Sequence, residues 1–185
     1  MSGRVCPWWL GYLLASPLRS WMEDPSRLLA PYVREGMTVL EPGPGMGFFT
    51  LELARLVGPA GRVVAPEIQV RMIAGLKRRA ARAGLASRVE PRQVAPETLG
   101  VDDLAGRVDF VLAYAVVHEM PDAARFFQQA AAVLKPGASL LLAEPAGHVK
   151  SEGFETELGV AADAGLEVVE RPAIRRSHAA VLKKV

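Results

Sequence analysis

The 185-residue chain predicts an α/β protein: a doubly wound, mostly parallel seven-stranded sheet with one antiparallel strand near the C-terminus. Three observations carry this expectation. Apolar runs of strand length alternate with segments of helical spacing, and that rhythm requires parallel strands with helices on both faces. Gly and Pro punctuate the ends of the helical segments. Finally, two strand-like runs near the end are joined by a short basic turn, too short for a crossover helix, so they must be antiparallel.

Taken in order, "DPSRLLAPYV" is a helix candidate capped near Asp24. "MTVLE" follows as a short buried strand. "GFFTLELARLVG" has helical spacing and stops at Gly58-Pro59. "GRVVA" is the second strand and "IQVRMIAGLKRRAARAG" its helix, closed by Gly84. "RVEPRQV" is a weaker third strand, and "RVDFVLAYAVV" a strong fourth. "DAARFFQQAAAVLK" is a helix ended by Pro136-Gly137. "ASLLLAE" is the fifth strand, and "GFETELGVAADAG" a helix ended by Gly165. "LEVVERPAI" and "SHAAVLKKV" form the closing antiparallel pair. No repeat or low-complexity linker interrupts the pattern, so residues 24 to 185 are expected to form one domain.

Composition limits what this domain can do. Half of the residues are hydrophobic, 23% are charged and the net charge is +2, which excludes disorder. "LKRRAARAG" has the look of a nucleic-acid patch. Arg71, Lys77, Arg78, Arg79 and Arg82 are instead expected on the solvated face of an amphipathic helix, with no nucleic-acid partner. The single cysteine, Cys6, excludes an internal disulfide framework and a cysteine-rich zinc site, in keeping with a cytoplasmic location. No metal is expected.

The first 23 residues stand apart. "MSGRVCPWWLGYLLASPLRS" has the outline of a signal peptide, but Pro7 and the paired Trp8 and Trp9 make a poor apolar region for export. The run is also too short to span a bilayer, so no integral membrane segment is expected. The expectation is an apolar extension, residues 1 to 23, that covers an acceptor pocket through Trp8, Trp9 and Tyr12, or else packs on an outer face as core.

The motif with the most chemistry is "VLEPGPGMGFFT", where Gly43, Gly45 and Gly47 alternate after an acid, Glu41. A phosphate-binding P-loop needs Gly-Lys-Ser/Thr, whereas Phe48 and Phe49 follow Gly47. A dinucleotide fingerprint needs glycine where Phe48 stands. Glu41 opposes a pyrophosphate as well: like charges ~4 Å apart repel by several kcal/mol near a surface. The loop therefore favours a ligand with positive charge near the strand end. Glu67 closes the second strand about twenty residues later, where a carboxylate can accept both hydroxyls of a ribose.

From residue 24 onward the chain resembles the class I S-adenosylmethionine-dependent methyltransferases, in particular the small-molecule branch that includes ubiquinone and menaquinone methyltransferase-like proteins. The segments that carry the resemblance are "VLEPGPGMGFFTLELARLVGPAGRVVAPE", "VDFVLAYAVVHEMPD", "VLKPGASLLLAEP" and the closing antiparallel pair. It implies a Rossmann-like methyltransferase fold. It implies also that the loop from Glu41 to Gly47 holds the methionine part of S-adenosylmethionine and that Glu67 binds the ribose. The chain departs from the family pattern at Pro66, where a hydrophobic residue is usual. It departs again at Val94, where relatives often place an aspartate against the adenine amino group. Backbone groups near Val94 and Ala95, or else Glu97, remain to hold adenine.

Methyl transfer is an in-line displacement, helped by alignment and a dry pocket. A base is needed only if the nucleophile must lose a proton. His118 and Glu119 in "AYAVVHEMPD" stand where the fourth strand ends, and either catalyse as base and partner or position the substrate. Tyr114 is expected in the core or facing the cofactor. Glu144 and His148 follow the fifth strand, with His148 a candidate substrate contact. A metal site built from these groups is disfavoured by their separation in sequence. The Asn-Pro-Pro-Tyr signature of amide methyltransferases is absent, as are the several cysteines expected of arsenite methyltransferases. The expected function is methyl transfer to a small-molecule acceptor with a hydrophobic or aromatic body. The alternative is a cofactor-binding or interaction protein of the same fold without transferase activity.

Overall fold

The computed structural model describes residues 24–185. The expectations for residues 1 to 23, including the pocket contacts of Trp8, Trp9 and Tyr12, lie outside the described residues. Among the described residues, a seven-stranded sheet runs in the order β3 (Val89–Gln93), β2 (Arg62–Glu67), β1 (Thr38–Leu40), β4 (Val108–Tyr114), β5 (Leu134–Pro145), β7 (Ser177–Lys184), β6 (Leu166–Glu170). The described residues fall into two compact units, 24–94 and 95–185.

In the first unit, α1 (Pro25–Leu29) is short and begins where Asp24 accepts a hydrogen bond from Arg27 N at 3.2 Å. Strands β1 (Thr38–Leu40), β2 (Arg62–Glu67) and β3 (Val89–Gln93) are parallel, with Val39 opposite Val63 and Val64 opposite Glu90. The near-continuous apolar character of β1 and β2 follows from burial on both faces, and Val39, Leu40, Val63, Val64 and Ala65 are buried. Helix α2 (Thr50–Leu56) is shorter than its apolar spacing suggests, because residues 45–49 form turns after the glycine loop. Helix α3 (Val70–Arg82) buries Met72, Ile73, Leu76 and Ala80. Its Arg71, Lys77, Arg78 and Arg82 are exposed, as an amphipathic helix demands. Arg79 does not share that face: it is half-buried and reaches inward.

In the second unit, β4 (Val108–Tyr114) pairs in parallel with β5 (Leu134–Pro145). Between them lies α4 (Ala123–Val133), capped by Asp122, which accepts from Arg125 N at 3.0 Å. This helix ends at Val133, earlier than the Pro136-Gly137 pair suggested. Leu134 already pairs with Val108, and the register shifts before Phe110 meets Ser139. Proline and glycine thus mark an irregular strand entry, a place where proline's missing N–H is tolerated. Helix α5 (Ser151–Asp163) leads into β6 (Leu166–Glu170), and β7 (Ser177–Lys184) returns antiparallel to both β5 and β6.

Composition explains why β7 lies inside and β6 at the edge. Ala179, Ala180, Val181 and Leu182 are all buried, whereas β6 buries only Leu166. Among the described residues, no helix is long and apolar enough to cross a membrane.

Candidate cofactor and catalytic sites

The loop after β1 is held by its own backbone. Glu41 N donates to Val64 O, Gly43 N to Pro66 O and Gly47 N to Pro44 O, at 2.9, 3.0 and 2.9 Å. Gly45 and Gly47 have φ of +55° and +85°, the left-handed region that glycine enters without penalty. Their surroundings differ. A Cβ on Gly45 would meet nothing within 4 Å, whereas one on Gly47 would lie 2.4 Å from Leu76 Cδ1 of α3. Gly45 therefore faces open space and Gly47 is packed.

Helix α3 braces the loop at a second point. Arg79 Nη1 donates to Met46 O at 2.7 Å, and burial pushes the guanidinium below its usual value. Sequence spacing gave no sign of this contact, because Arg79 sits within a basic run that otherwise faces solvent.

Glu41 is buried, and burial pushes its carboxyl up to about 8. The Thr50 hydroxyl lies close enough to lower it somewhat but not in hydrogen-bond geometry, and Glu41 Oε2 has no hydrogen-bond partner. Such a group is costly in isolation and is well suited to a cation.

Glu67, the last residue of β2, is also buried. Its Oε2 accepts from Gly45 N at 3.2 Å and its Oε1 from Gln69 N at 2.9 Å. Glu67 is thus joined to the glycine loop that follows Glu41, and Val94 N donates to Glu67 O at 3.1 Å. Ala95, in the other unit, is exposed and its carbonyl accepts from Thr98 N at 3.2 Å. Glu97 is exposed as well, at a cleft of about 180 Å³ shared with Leu99, Met120, Phe126 and Gln129.

The second unit collects the proton-carrying groups. Tyr114 ends β4 and is half-buried. Ala115, at φ +55°, then turns the chain in a conformation that a non-glycine residue enters at a cost, held by Ala115 N donating to Ala143 O at 2.7 Å. A single turn of 3-10 helix, Val117–Glu119, follows.

Glu144 in β5 fixes that turn. It is fully buried, with Oε1 accepting from Val117 N at 2.8 Å and Oε2 bonded to His118 Nδ1. An ionised carboxylate only accepts, so Nδ1 donates and the lone pair of neutral His118 is left on Nε2. The Glu144 hydrogen bond raises the His118 pKa above its ordinary value; burial opposes it, and the charges of Glu144, Glu119 and Glu157 add to it. Glu119 Oε1 lies 4.0 Å from His118 Nε2. His148, in the exposed turn after β5, brings its ring centroid to 5.3 Å from that of His118. The structure thus brings His118, Glu119 and His148 near one another. Glu144 as the orienting partner was not foreseen, though its place at the end of a parallel strand was a usable signal. Among the described residues, no group of three His, Cys, Asp or Glu side chains has the arrangement of a metal site.

Comparison with known proteins gives the family. The family described as "Methyltransferase domain" matches residues 33–172. A ribosomal protein L11 methyltransferase of Pelotomaculum thermopropionicum is 39% identical over 130 residues, covering 66% of this chain and 38% of that protein. The ubiquinone/menaquinone biosynthesis C-methyltransferase UbiE of Pasteurella multocida is 31% identical over 112 residues, covering 60% of this chain and 41% of that one. The chain thus spans less than half the length of these two curated relatives. Among solved structures, an S-adenosylmethionine-dependent methyltransferase from Aquifex aeolicus aligns with a TM-score of 0.87 at 26% identity, covering 98% of this chain and 100% of that one.

The residues present fit the family's cofactor. The unpartnered Glu41 Oε2 suits the ligand's positive charges, Gly45 leaves room for close approach, and Glu67 sits at a strand end with its carboxylate beside that glycine. By the match over most of its length, the chain belongs to the methyltransferase-domain family, the class I S-adenosylmethionine-dependent methyltransferases.

Proposed function

We propose that this protein methylates a small molecule whose nucleophile must first lose a proton, and that His118 is the base that takes it. The observation that carries this reading is the Glu144–His118 pair, which fixes the imidazole tautomer with Nε2 as acceptor. Bound S-adenosylmethionine supplies an electrophilic methyl group on a sulfonium; Glu41, Gly43, Gly45, Gly47, Glu67 and the backbone near Val94 would hold it. Adenine contacts from Ala95 or Glu97, and a cofactor contact from Tyr114, belong to the same proposal.

The chemistry balances simply. An acceptor hydroxyl gives its proton to His118 Nε2 and Glu144 stabilises the imidazolium. The acceptor's freed electron pair would then displace the methyl group that the bound cofactor would supply, with the thioether sulfur as leaving group. Glu119, near Nε2, helps to hold the charged ring. His148, whose ring is 5.3 Å from that of His118, would contact the acceptor.

A hydroxylated ring with an apolar body suits this machinery, because ionising its hydroxyl activates either the oxygen or a ring carbon. Similarity to a ubiquinone/menaquinone C-methyltransferase supports that acceptor class. The apolar extension of residues 1 to 23, with Trp8, Trp9 and Tyr12, would supply walls for such a body over the 24–185 catalytic domain. Deleting residues 1–20 should then abolish acceptor turnover and leave cofactor affinity intact; loss of both would make the segment structural.

The decisive test is a pH–rate profile with quinol and phenol acceptors. Wild type should show an acidic limb that rises as His118 deprotonates, and His118→Ala should abolish it with most of the turnover. An unchanged limb in His118→Ala removes this residue as the base. Stabilisation by S-adenosylhomocysteine without turnover on any acceptor would favour a binding protein instead.

A further inference from the structure

That proton transfer leaves unused Glu157, a half-buried acid of the second unit. It lies on α5, and its Oε2 is buried without a hydrogen-bond partner. Phe154, three residues earlier, shares its helix face. The Phe154 ring centroid is 5.7 Å from that of His178 on β7. His178 is the register partner of Glu144, and directly opposed residues in an antiparallel pair project from the same face. Helix α5 therefore lays Glu157 over the end of the sheet that carries Glu144.

We propose that Glu157 is a positioning residue for the proton: when ionised it keeps His118 protonated, and so sets the pH at which the His118–Glu144 pair becomes a base. The proposal rests on the reading of His118 as base for its catalytic meaning, but not for the coupling itself.

Electrostatics agree with the placement. Burial, and after it the Glu144 charge, push the Glu157 carboxyl up to about 7, with His118 acting in the opposite direction. Two neighbouring carboxylates resist ionising together, and a cation beside them relieves that resistance. The groups around His118 are Glu144 on β5, Glu119 on its own turn, His148 after β5 and Glu157 on α5, with His178 opposite Glu144. The other charged side chains of α5, Glu152, Glu155 and Asp163, are exposed, and Glu155 is tied to Arg171 at 2.7 Å. On the elements packed against α5, Arg125 of α4 and Glu167 and Glu170 of β6 are exposed.

The sign follows directly. Above about 7, Glu157 is ionised and holds the proton on His118. A neutral residue there lets His118 deprotonate at lower pH. The test is an NMR titration of the imidazole resonances of the full chain, tractable with 3 histidines and assigned with His118→Gln. Glu157→Gln and Glu157→Met are two neutral variants of similar shape, so that failure of one to fold leaves the other. Either should move the His118 titration to lower pH, Glu157→Asp should retain most of the wild-type position, and the exposed control Glu155→Gln should not move it. In the rate profile the acidic limb should move the same way. At the pH where wild type runs at half its maximum, turnover should rise by up to roughly twofold. An unmoved His118 titration in a folded neutral variant overturns the proposal. A moved titration with an unmoved rate profile keeps the coupling and removes His118 as the base.

Discussion

Glu41→Gln isolates the carboxyl that the fold buries at the start of the glycine loop. Moving that group from its ordinary 4.5 to about 8 means that burial disfavours its ionised form by about 5 kcal/mol. Because the folded-state value lies above the unfolded one, the folded protein binds more protons between them. The contribution to stability is complete below about 4.5 and is lost as pH rises through about 8. Glutamine keeps the shape and cannot ionise, so its contribution stays flat across the window. At pH 9, without ligand, Glu41→Gln should outlast wild type by up to about 5 kcal/mol, or roughly 10–20 °C in Tm. Near pH 5 the two should nearly coincide. Urea unfolding at pH 5, 7 and 9 reads this difference, and calorimetry supplies an independent check. A cationic cofactor lets Glu41 ionise, so binding at pH 7 should release a proton from wild type and none from the variant, read in buffers of different ionisation enthalpy. Parallel stability slopes for the two proteins, with equal proton release, would refute the assignment of Glu41 as a protonated, ligand-awaiting acid.

The two loop glycines should separate by phenotype. Gly45→Val places its side chain in open space at a strained φ, so the protein should fold with a modest loss of Tm and lose most of its calorimetric affinity for S-adenosylhomocysteine. Gly47→Val meets Leu76 at 2.4 Å and should lower Tm sharply, in line with an overpacking cost of about 1–3 kcal/mol plus strain; equal effects of the two variants on stability would contradict the packing described. Arg79→Ala removes the brace on Met46 O and should weaken S-adenosylhomocysteine binding about tenfold, consistent with about 1.5 kcal/mol for a charge-assisted bond. Arg79→Lys should restore part of that affinity, and unchanged binding in both would show that the loop holds itself.

Much of the fold could be read from the chain because its signals are local. Apolar runs such as those of β2 and β5 mark strands by themselves, and the short turn before Ser177 leaves only an antiparallel return. What depended on distant packing was less visible. Pro136-Gly137 looks like a helix stop, yet the ladder with β4 pulls Leu134 into the strand before it. Arg79 looks solvated, because nothing in the basic run announces that a loop carbonyl 33 residues earlier lies within reach. The site divides in the same way. Glu41, the glycines and Glu67 were legible through charge and turn chemistry. Glu144 was visible only as a strand-end acid, and Glu157 not at all, since its environment is created by the register that sets His178 opposite Glu144.

That register has a consequence for how the protein is made. β6 is synthesised before β7 yet pairs with β7, which is also the strand that closes on β5. A chain emerging from the ribosome therefore carries β5 with one ladder unfilled and β6 without a partner until the segment through Lys184 has cleared the exit tunnel. During that interval the Leu140–Leu142 backbone is an open apolar edge, of the kind that recruits chaperones or other nascent chains. Its protection falls to the last strand of the sheet to be translated, and slow passage of that segment lengthens the time for which the edge is exposed.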